Sequence, residues 1–217
     1  SLQLWECQSD ALPQLPPSLT KLQVGDCNAL RTALVPRSFL RTAPVAPFLR
    51  RLELTQCWSL THWPDSMSAM RQLPALRISR CRLQELPAPL AALPALEVLI
   101  LNDCYLRALP AQLACPGSLR KLAICDNLLR SVPAVLGGGA ASRLYLADNT
   151  LLVVAEEGLE VLRSLPALQY FDITKIENWD VPEGLAETLR KVLLDGCRLV
   201  WHSDDADELS DESRVFC

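Results

Sequence analysis

Leu96-Glu-Val-Leu99-Ile-Leu101-Asn-Asp-Cys104-Tyr-Leu106-Arg-Ala-Leu109-Pro110 decides the fold, because the same frame returns on both sides of it. Upstream stands Leu73-Pro-Ala-Leu76-Arg-Ile78-Ser-Arg-Cys81-Arg-Leu83-Gln-Glu-Leu86-Pro87. Downstream stands Leu119-Arg-Lys-Leu122-Ala-Ile124-Cys-Asp-Asn127-Leu-Leu129-Arg-Ser-Val132-Pro133. The shared frame is L-x-x-L-x-L-x-x-C/N-x-L-x-x-L-P. Counted from its first leucine, its fourth position falls on Leu2, Leu22, Leu52, Leu76, Leu99, Leu122, Leu144, Phe171 and Val192. The steps are 20, 30, 24, 23, 23, 22, 27 and 21 residues. A period of this size marks a stacked repeat, in which no single copy can bury its own apolar edge.

Each part of the frame has a physical task. L-x-L puts two apolar side chains on one face of a short strand. The ninth position falls where the chain turns, and an inward side chain there meets backbone groups that would otherwise be buried without partners. Asn127 and Asn149 fit this position with amide donors and an acceptor. Cys7, Cys27, Cys57, Cys81, Cys104 and Cys197 fit it with a small thiol and a weak donor. Ile176 can do neither, so the eighth copy is expected to turn differently. The L-P step then stops the strand, since proline fixes φ and cannot donate to a ladder. The apolar residue that follows starts a short helical or 3₁₀ return.

These residues resemble the leucine-rich repeat family over nearly the whole chain. The copies of 22 to 24 residues with Leu-Pro resemble the intracellular and plant-type classes. The stretch Ala11-Leu-Pro-Gln-Leu-Pro-Pro-Ser-Leu-Thr-Lys-Leu22-Gln-Val24 resembles the shorter repeats of secreted bacterial effectors. The resemblance implies an α/β solenoid of about nine repeats. Its parallel sheet lines the concave face, and short helices, 3₁₀ turns and loops form the convex one. Nine strands would span roughly 40 Å along the arc.

Residues 1–202 are read as the solenoid and 203–217 as an acidic C-terminal tail. The 30-residue step after Leu22 carries an insertion near 31–48, with Arg31, Arg37, Arg41, Pro44 and Pro47, expected as a longer convex segment or loop. Gly137-Gly138-Gly139 is expected as a flexible return turn; no Lys-Ser/Thr follows to make a phosphate loop. Leu2 and Leu4 already occupy strand positions, so the native array is expected to continue upstream.

Of the 217 residues 50% are hydrophobic, which excludes a disordered chain. No run of apolar residues is long enough to insert in a membrane, and a net charge of -4 argues against nucleic-acid binding. The charge is uneven. Six acids (Asp204, Asp205, Asp207, Glu208, Asp211, Glu212) and Arg214 give the tail -5, while the other 20 bases and 19 acids leave the body at +1.

Catalytic and metal-binding patterns are missing. The sequence has no H-E-x-x-H, G-x-S-x-G, G-x-G-x-x-G or Walker loop. No C-x-x-C occurs, and His62 and His202 are the sole histidines, so neither a metal site nor a cofactor is expected. Six of nine cysteines fill the turn column, so the set is read as buried free thiols in a reducing, cytoplasmic compartment. Cys115, Cys125 and Cys217 lie off that column.

Function is therefore sought on the concave face, where positions three, five and seven point outward. Aligning the copies brings Val98, Ile100, Tyr145 and Tyr170 beside Arg77, Lys121, Arg143 and Asp172. Exposed apolar and aromatic side chains ringed by charge are what a protein-binding hot spot requires. Trp5, Trp58 and Tyr105 near the edges would extend the patch. The expected function is non-catalytic binding of a protein partner by a monomer. The alternatives are the recognition domain of a larger effector with ubiquitin-ligase activity elsewhere, an immune receptor's repeat region, or a regulatory scaffold.

Overall fold

The computed structural model describes residues 1–8, 15–16, 18–28, 48–59, 70–86, 93–110, 113, 117–176 and 197–200. Nine strands form one sheet in chain order. They are β1 (Leu2–Trp5), β2 (Lys21–Gly25), β3 (Arg51–Thr55), β4 (Ala75–Ser79), β5 (Val98–Asn102), β6 (Lys121–Ala123), β7 (Arg143–Tyr145), β8 (Tyr170–Asp172) and β9 (Arg198–Val200). Every neighbouring pair is parallel. The frame predicts the register of the first eight. Leu2, Leu22, Leu52, Leu76, Leu99, Leu122, Leu144 and Phe171 stand side by side across the sheet.

The ninth strand departs from the frame. Leu199 of β9, not Val192, pairs with Phe171. Cys197 therefore precedes its strand instead of closing a turn after it, and it drops out of the turn column. The cause is that two apolar stretches in this part of the sequence satisfy the same alternation, and pairing with β8 selects the second.

The core lies under the sheet. Positions four and six of β2 to β8 are buried there, Leu52, Leu54, Leu99, Leu101 and Leu122 completely. Each such leucine contributes about 1.5–3 kcal/mol by leaving water. On the return side the chain makes single turns, as in Leu96 N–H to Leu93 C=O at 3.4 Å and Leu113 N–H to Pro110 C=O at 2.9 Å. Ala134–Leu136 is a 3₁₀ turn after Pro133. The 27-residue step between Leu144 and Phe171 has room for more, and holds helix α1 (Glu156–Arg163) with Leu159 and Leu162 buried. Glu156 and Glu157 in its first turn and Arg163 in its last match the helix dipole.

The glycine triplet is a bonded turn. Gly138 has φ +72°, and its N–H donates to Ser164 Oγ at 3.0 Å, while Gly139 N–H donates to Leu136 C=O at 3.0 Å. β2 and β3 pair residue for residue from Lys21–Arg51 to Gly25–Thr55, so the long step between them leaves the register intact. Most of the 31–48 insertion, the tail 203–217, His62, His202, Cys115, Cys217 and the Leu-Pro steps at Pro64, Pro87 and Pro182 lie outside the described residues.

Candidate functional site

The turn column and the concave face are built on one repeated device. Position eight of every copy from the first to the eighth is left-handed. Glu6, Asp26, Gln56, Arg80, Asp103, Asp126, Asp148 and Lys175 all have φ between 52° and 56°. This conformation is unfavourable for residues with a Cβ, by roughly 1–2 kcal/mol, and is worst for β-branched ones. None of the eight is β-branched. In return the first seven of these turns aim an N–H at the next copy, as in Asp26 to Thr55 C=O at 3.1 Å, Arg80 to Asn102 C=O at 3.0 Å and Asp126 to Ala147 C=O at 3.1 Å.

Burial raises the Asp126 carboxyl above its ordinary 3.8, and Asp148 and Asp103 push the same way against Lys175 and Arg80. The folded chain then binds that proton more readily than the unfolded one. The ionised carboxylate weighs against folding above the folded value, and the penalty vanishes below the unfolded value. Asp126→Asn, whose side chain tolerates the left-handed region, is expected to raise Tm at pH 7 by a few degrees at most. The gain should shrink as pH falls through the carboxylate range; thermal melts showing a pH-independent difference would contradict it.

At position nine, Asn127 Oδ1 accepts the N–H groups of Cys104 at 3.1 Å and Leu106 at 2.9 Å. Its Nδ2 donates to Leu101 C=O at 2.7 Å and Cys125 C=O at 2.8 Å. Asn149 repeats this one copy later, accepting from Leu129 N–H at 3.2 Å and donating to Ile124 C=O at 2.8 Å. The thiols do less. Cys27 Sγ accepts Cys7 N–H at 3.3 Å and donates to Gly25 C=O at 3.2 Å. Cys57, Cys81 and Cys104 donate to Thr55, Ser79 and Asn102 C=O. After β8, where Ile176 offers nothing polar, the turn is held by Asp172 Oδ1, which accepts Thr174 N–H and Oγ1–H, each at 3.0 Å.

The ladder cysteines are free. Burial pushes the thiols of Cys27 and Cys104 up to about 12 and Cys197 up to about 11. Only the thiolate attacks an alkylating reagent. Iodoacetamide at pH 8 is therefore expected to leave Cys27, Cys57 and Cys104 unmodified in the folded chain and to modify all three in urea. Ready modification without denaturant, read by mass spectrometry, would show that this column opens.

On the concave face the strand register collects the expected binding residues. Arg77, Ile100, Ala123, Tyr145 and Asp172 form one row, and Val98, Lys121, Arg143 and Tyr170 the row beside it. The Tyr145 and Tyr170 rings lie 4.9 Å apart at 33°. Lys121 Nζ sits 4.9 Å from the Tyr145 ring centre, a cation–π geometry. Ile100, Ala123, Cys125, Tyr145 and Ala147 form a second apolar cluster, with Val98 and Tyr170 against it. The Tyr170 hydroxyl is buried and makes no hydrogen bond among the described residues, and burial raises its pKa.

Exposure corrects the expectation that this patch is open. Arg143 is exposed and Arg77, Val98 and Tyr170 are half-buried. Ile100 and Tyr145, however, are only 3% exposed, Asp172 7% and Lys121 9%. Of the edge residues, Trp5 and Tyr105 are exposed. The Trp5 ring lies over Gly25, where a Cβ would collide with it.

Cys125 is a second correction. It lies in the concave cluster and is disulfide-bonded, not a free thiol.

A further concavity of about 700 Å³ lies beside the turns after β4 and β5, bordered by Arg82, Glu85, Tyr105, Arg107 and Leu128. No cluster of His, Cys, Asp or Glu able to hold a metal occurs among the described residues. Nor is any helix among them long and apolar enough to cross a membrane.

A parallel sheet of stacked L-x-L strands closed by Asn and Cys turns is a leucine-rich repeat solenoid. No family model matches the chain, and no curated protein does. Solved structures share the fold. The leucine-rich repeat domain of the type III effector XopL superposes with TM-score 0.68 at 20% identity, over 94% of this chain and 76% of that one. A leucine-rich repeat protein of Leptospira interrogans superposes with TM-score 0.64 at 20% identity, over 91% of this chain and half of that one. Human 5T4, a trophoblast glycoprotein, does so with TM-score 0.59 at 18% identity, over 97% and 92%.

Proposed function

We propose that the chain is a non-catalytic module that binds a protein partner on its concave face. The observation that carries this is the Tyr145–Tyr170 pair with Lys121 above it, bordered by Arg77, Val98, Ile100, Arg143 and Asp172 on one rigid sheet. Aromatic and arginine anchors on a pre-formed surface contribute most of the affinity at protein interfaces. The solenoid 1–202 presents this face, the tail 203–217 is a separate segment, and the module works as a monomer.

Arg143→Glu is the test. Arg143 is exposed, so the variant should melt like the parent. Captured partner should fall at least tenfold in a pull-down. Unchanged capture by a folded variant would remove the concave face as the binding surface.

The likeness to an effector's repeat domain favours a second reading, in which this chain is the recognition arm of a larger protein. The complete reading frame decides it. A flanking catalytic domain would place the activity there, and a frame made only of repeats would leave the concave face as the whole function. For either reading the free ladder thiols favour a reducing compartment, while the Cys125 disulfide favours an oxidising one.

A further inference from the structure

We propose that the groove beside the turns after β4 and β5 is a second docking site, which takes an extended acidic segment of a partner protein with an apolar side chain in it. The groove lies past the turns, off the concave face, and its role does not rest on that of the concave face.

Three observations converge. The first is where the backbone is strained. Eight left-handed residues close the turns at position eight. The other two non-glycine ones among the described residues, Gln84 at φ 56° and Tyr105 at φ 59°, both line this groove. The repeat frame does not need them there. Arg82 and Leu128 take Tyr105's place in the neighbouring copies, Arg107 and Arg130 take that of Gln84, and none of the four is left-handed. Backbone strain that a fold does not require gathers at ligand clamps.

The second is a ring fixed in advance. Tyr105 is 42% exposed. Asn127 Oδ1 accepts the N–H groups on either side of it, those of Cys104 and Leu106, and Cys104 C=O accepts Gln84 N–H at 3.3 Å. An anchor whose backbone is already ordered gives up little freedom on binding. Leu86, Leu109, Pro110 and Leu128 supply apolar surface beside it.

The third is charge. Arg82 and Arg107 line the groove, and Arg130 follows Arg107 in the next copy. All three are exposed, and none is ion-paired among the described residues. Glu85 is the one acid among the described lining residues. Arginine and tyrosine anchors carry much of the energy of protein interfaces, and the positive excess selects an acidic partner.

The occupant is a chain segment, not a small molecule. The groove encloses about 700 Å³, yet Arg82, Gln84, Glu85, Tyr105, Arg107 and Ala108 along its border are all exposed. A small molecule would stay largely in water here, whereas a ligand pocket covers most of its guest. An extended chain can set one apolar side chain against Tyr105 and its acids against the arginines.

The full chain is titrated against short fluorescein-labelled glutamate peptides with a central Leu, Phe or Ser, read by fluorescence anisotropy. The Leu and Phe peptides should bind, and the Ser peptide at least about tenfold more weakly. The Arg82→Glu, Arg107→Glu double variant should bind the Leu peptide at least about tenfold more weakly. Both positions are exposed, so this variant should melt like the parent. Tyr105→Asn removes the ring but keeps a residue that tolerates the left-handed backbone, and it should lose roughly fivefold in affinity. No binding by any peptide, or equal binding by the double variant, overturns the proposal. So does displacement by inorganic phosphate at matched ionic strength, which would leave a simple anion site, or a loss with Arg143→Glu, which would put the peptide on the concave face. Partner capture by Arg143→Glu does not involve this groove, so either reading can fail without the other.

Discussion

Asn127→Ala is expected to lower the unfolding free energy by about 3–5 kcal/mol, the lower part of what two buried N–H groups and one carbonyl left unpaired would cost at about 1–3 kcal/mol per group. The groups are Cys104 N–H, Leu106 N–H and Leu101 C=O, all in the preceding copy, while Cys125 C=O keeps the Asp103 N–H. Alanine satisfies none of them, and water has no route to a side chain only 4% exposed. Tm should fall by roughly 10 °C. Asn127→Cys should cost less, because a thiol at this position accepts a backbone N–H in the first turn of the array, from Cys7 to Cys27. Urea denaturation of both variants checks the argument. Equal losses for Ala and Cys, or a loss under about 1 kcal/mol for Ala, would show that the amide is not what closes the turn.

The second large effect is expected at Phe171→Ala, with a loss of about 3–5 kcal/mol for a fully buried aromatic side chain. Phe171 is 0% exposed and stands in the row that seven leucines occupy in the earlier copies. Phe171→Leu should recover most of the stability, since leucine fits the same row elsewhere. A functional consequence follows from β8, which also carries Tyr170 and Asp172 to the concave face. The alanine variant should lose partner capture even below its melting point, while Phe171→Leu keeps it. Full capture by a destabilised alanine variant would separate β8 from the binding surface.

How much of this is legible in the sequence differs from one residue to the next. L-x-x-L-x-L fixes eight strands because a slip by one residue would turn every leucine out of the core. It fails at β9, where Val192 and Leu194 alternate as well as Arg198–Val200 does, and local pattern has no means to choose. The Asn column is readable because an amide is the residue a turn with unpaired N–H and C=O groups needs. The left-handed residues beside it are not, since Glu, Gln, Arg and Lys carry no preference for that backbone. On the concave face the rows follow from register alone, so Lys121 and Tyr145 are placed correctly. Their burial is not readable, because it depends on how the concave side chains pack over one another, as Tyr145 does against Tyr170 and Lys121.

The order of the sheet has a mechanical consequence. Each rung, from Glu6 N–H to Gly25 C=O through Asp148 N–H to Thr174 C=O, ties one copy to the next. The load path from one end of the array to the other therefore runs through these bonds in series. Tension applied at the ends would peel the solenoid one copy at a time, as a zipper opens, rather than shear many bonds together. A partner gripping several copies across the concave side would bridge those rungs and act as a splint.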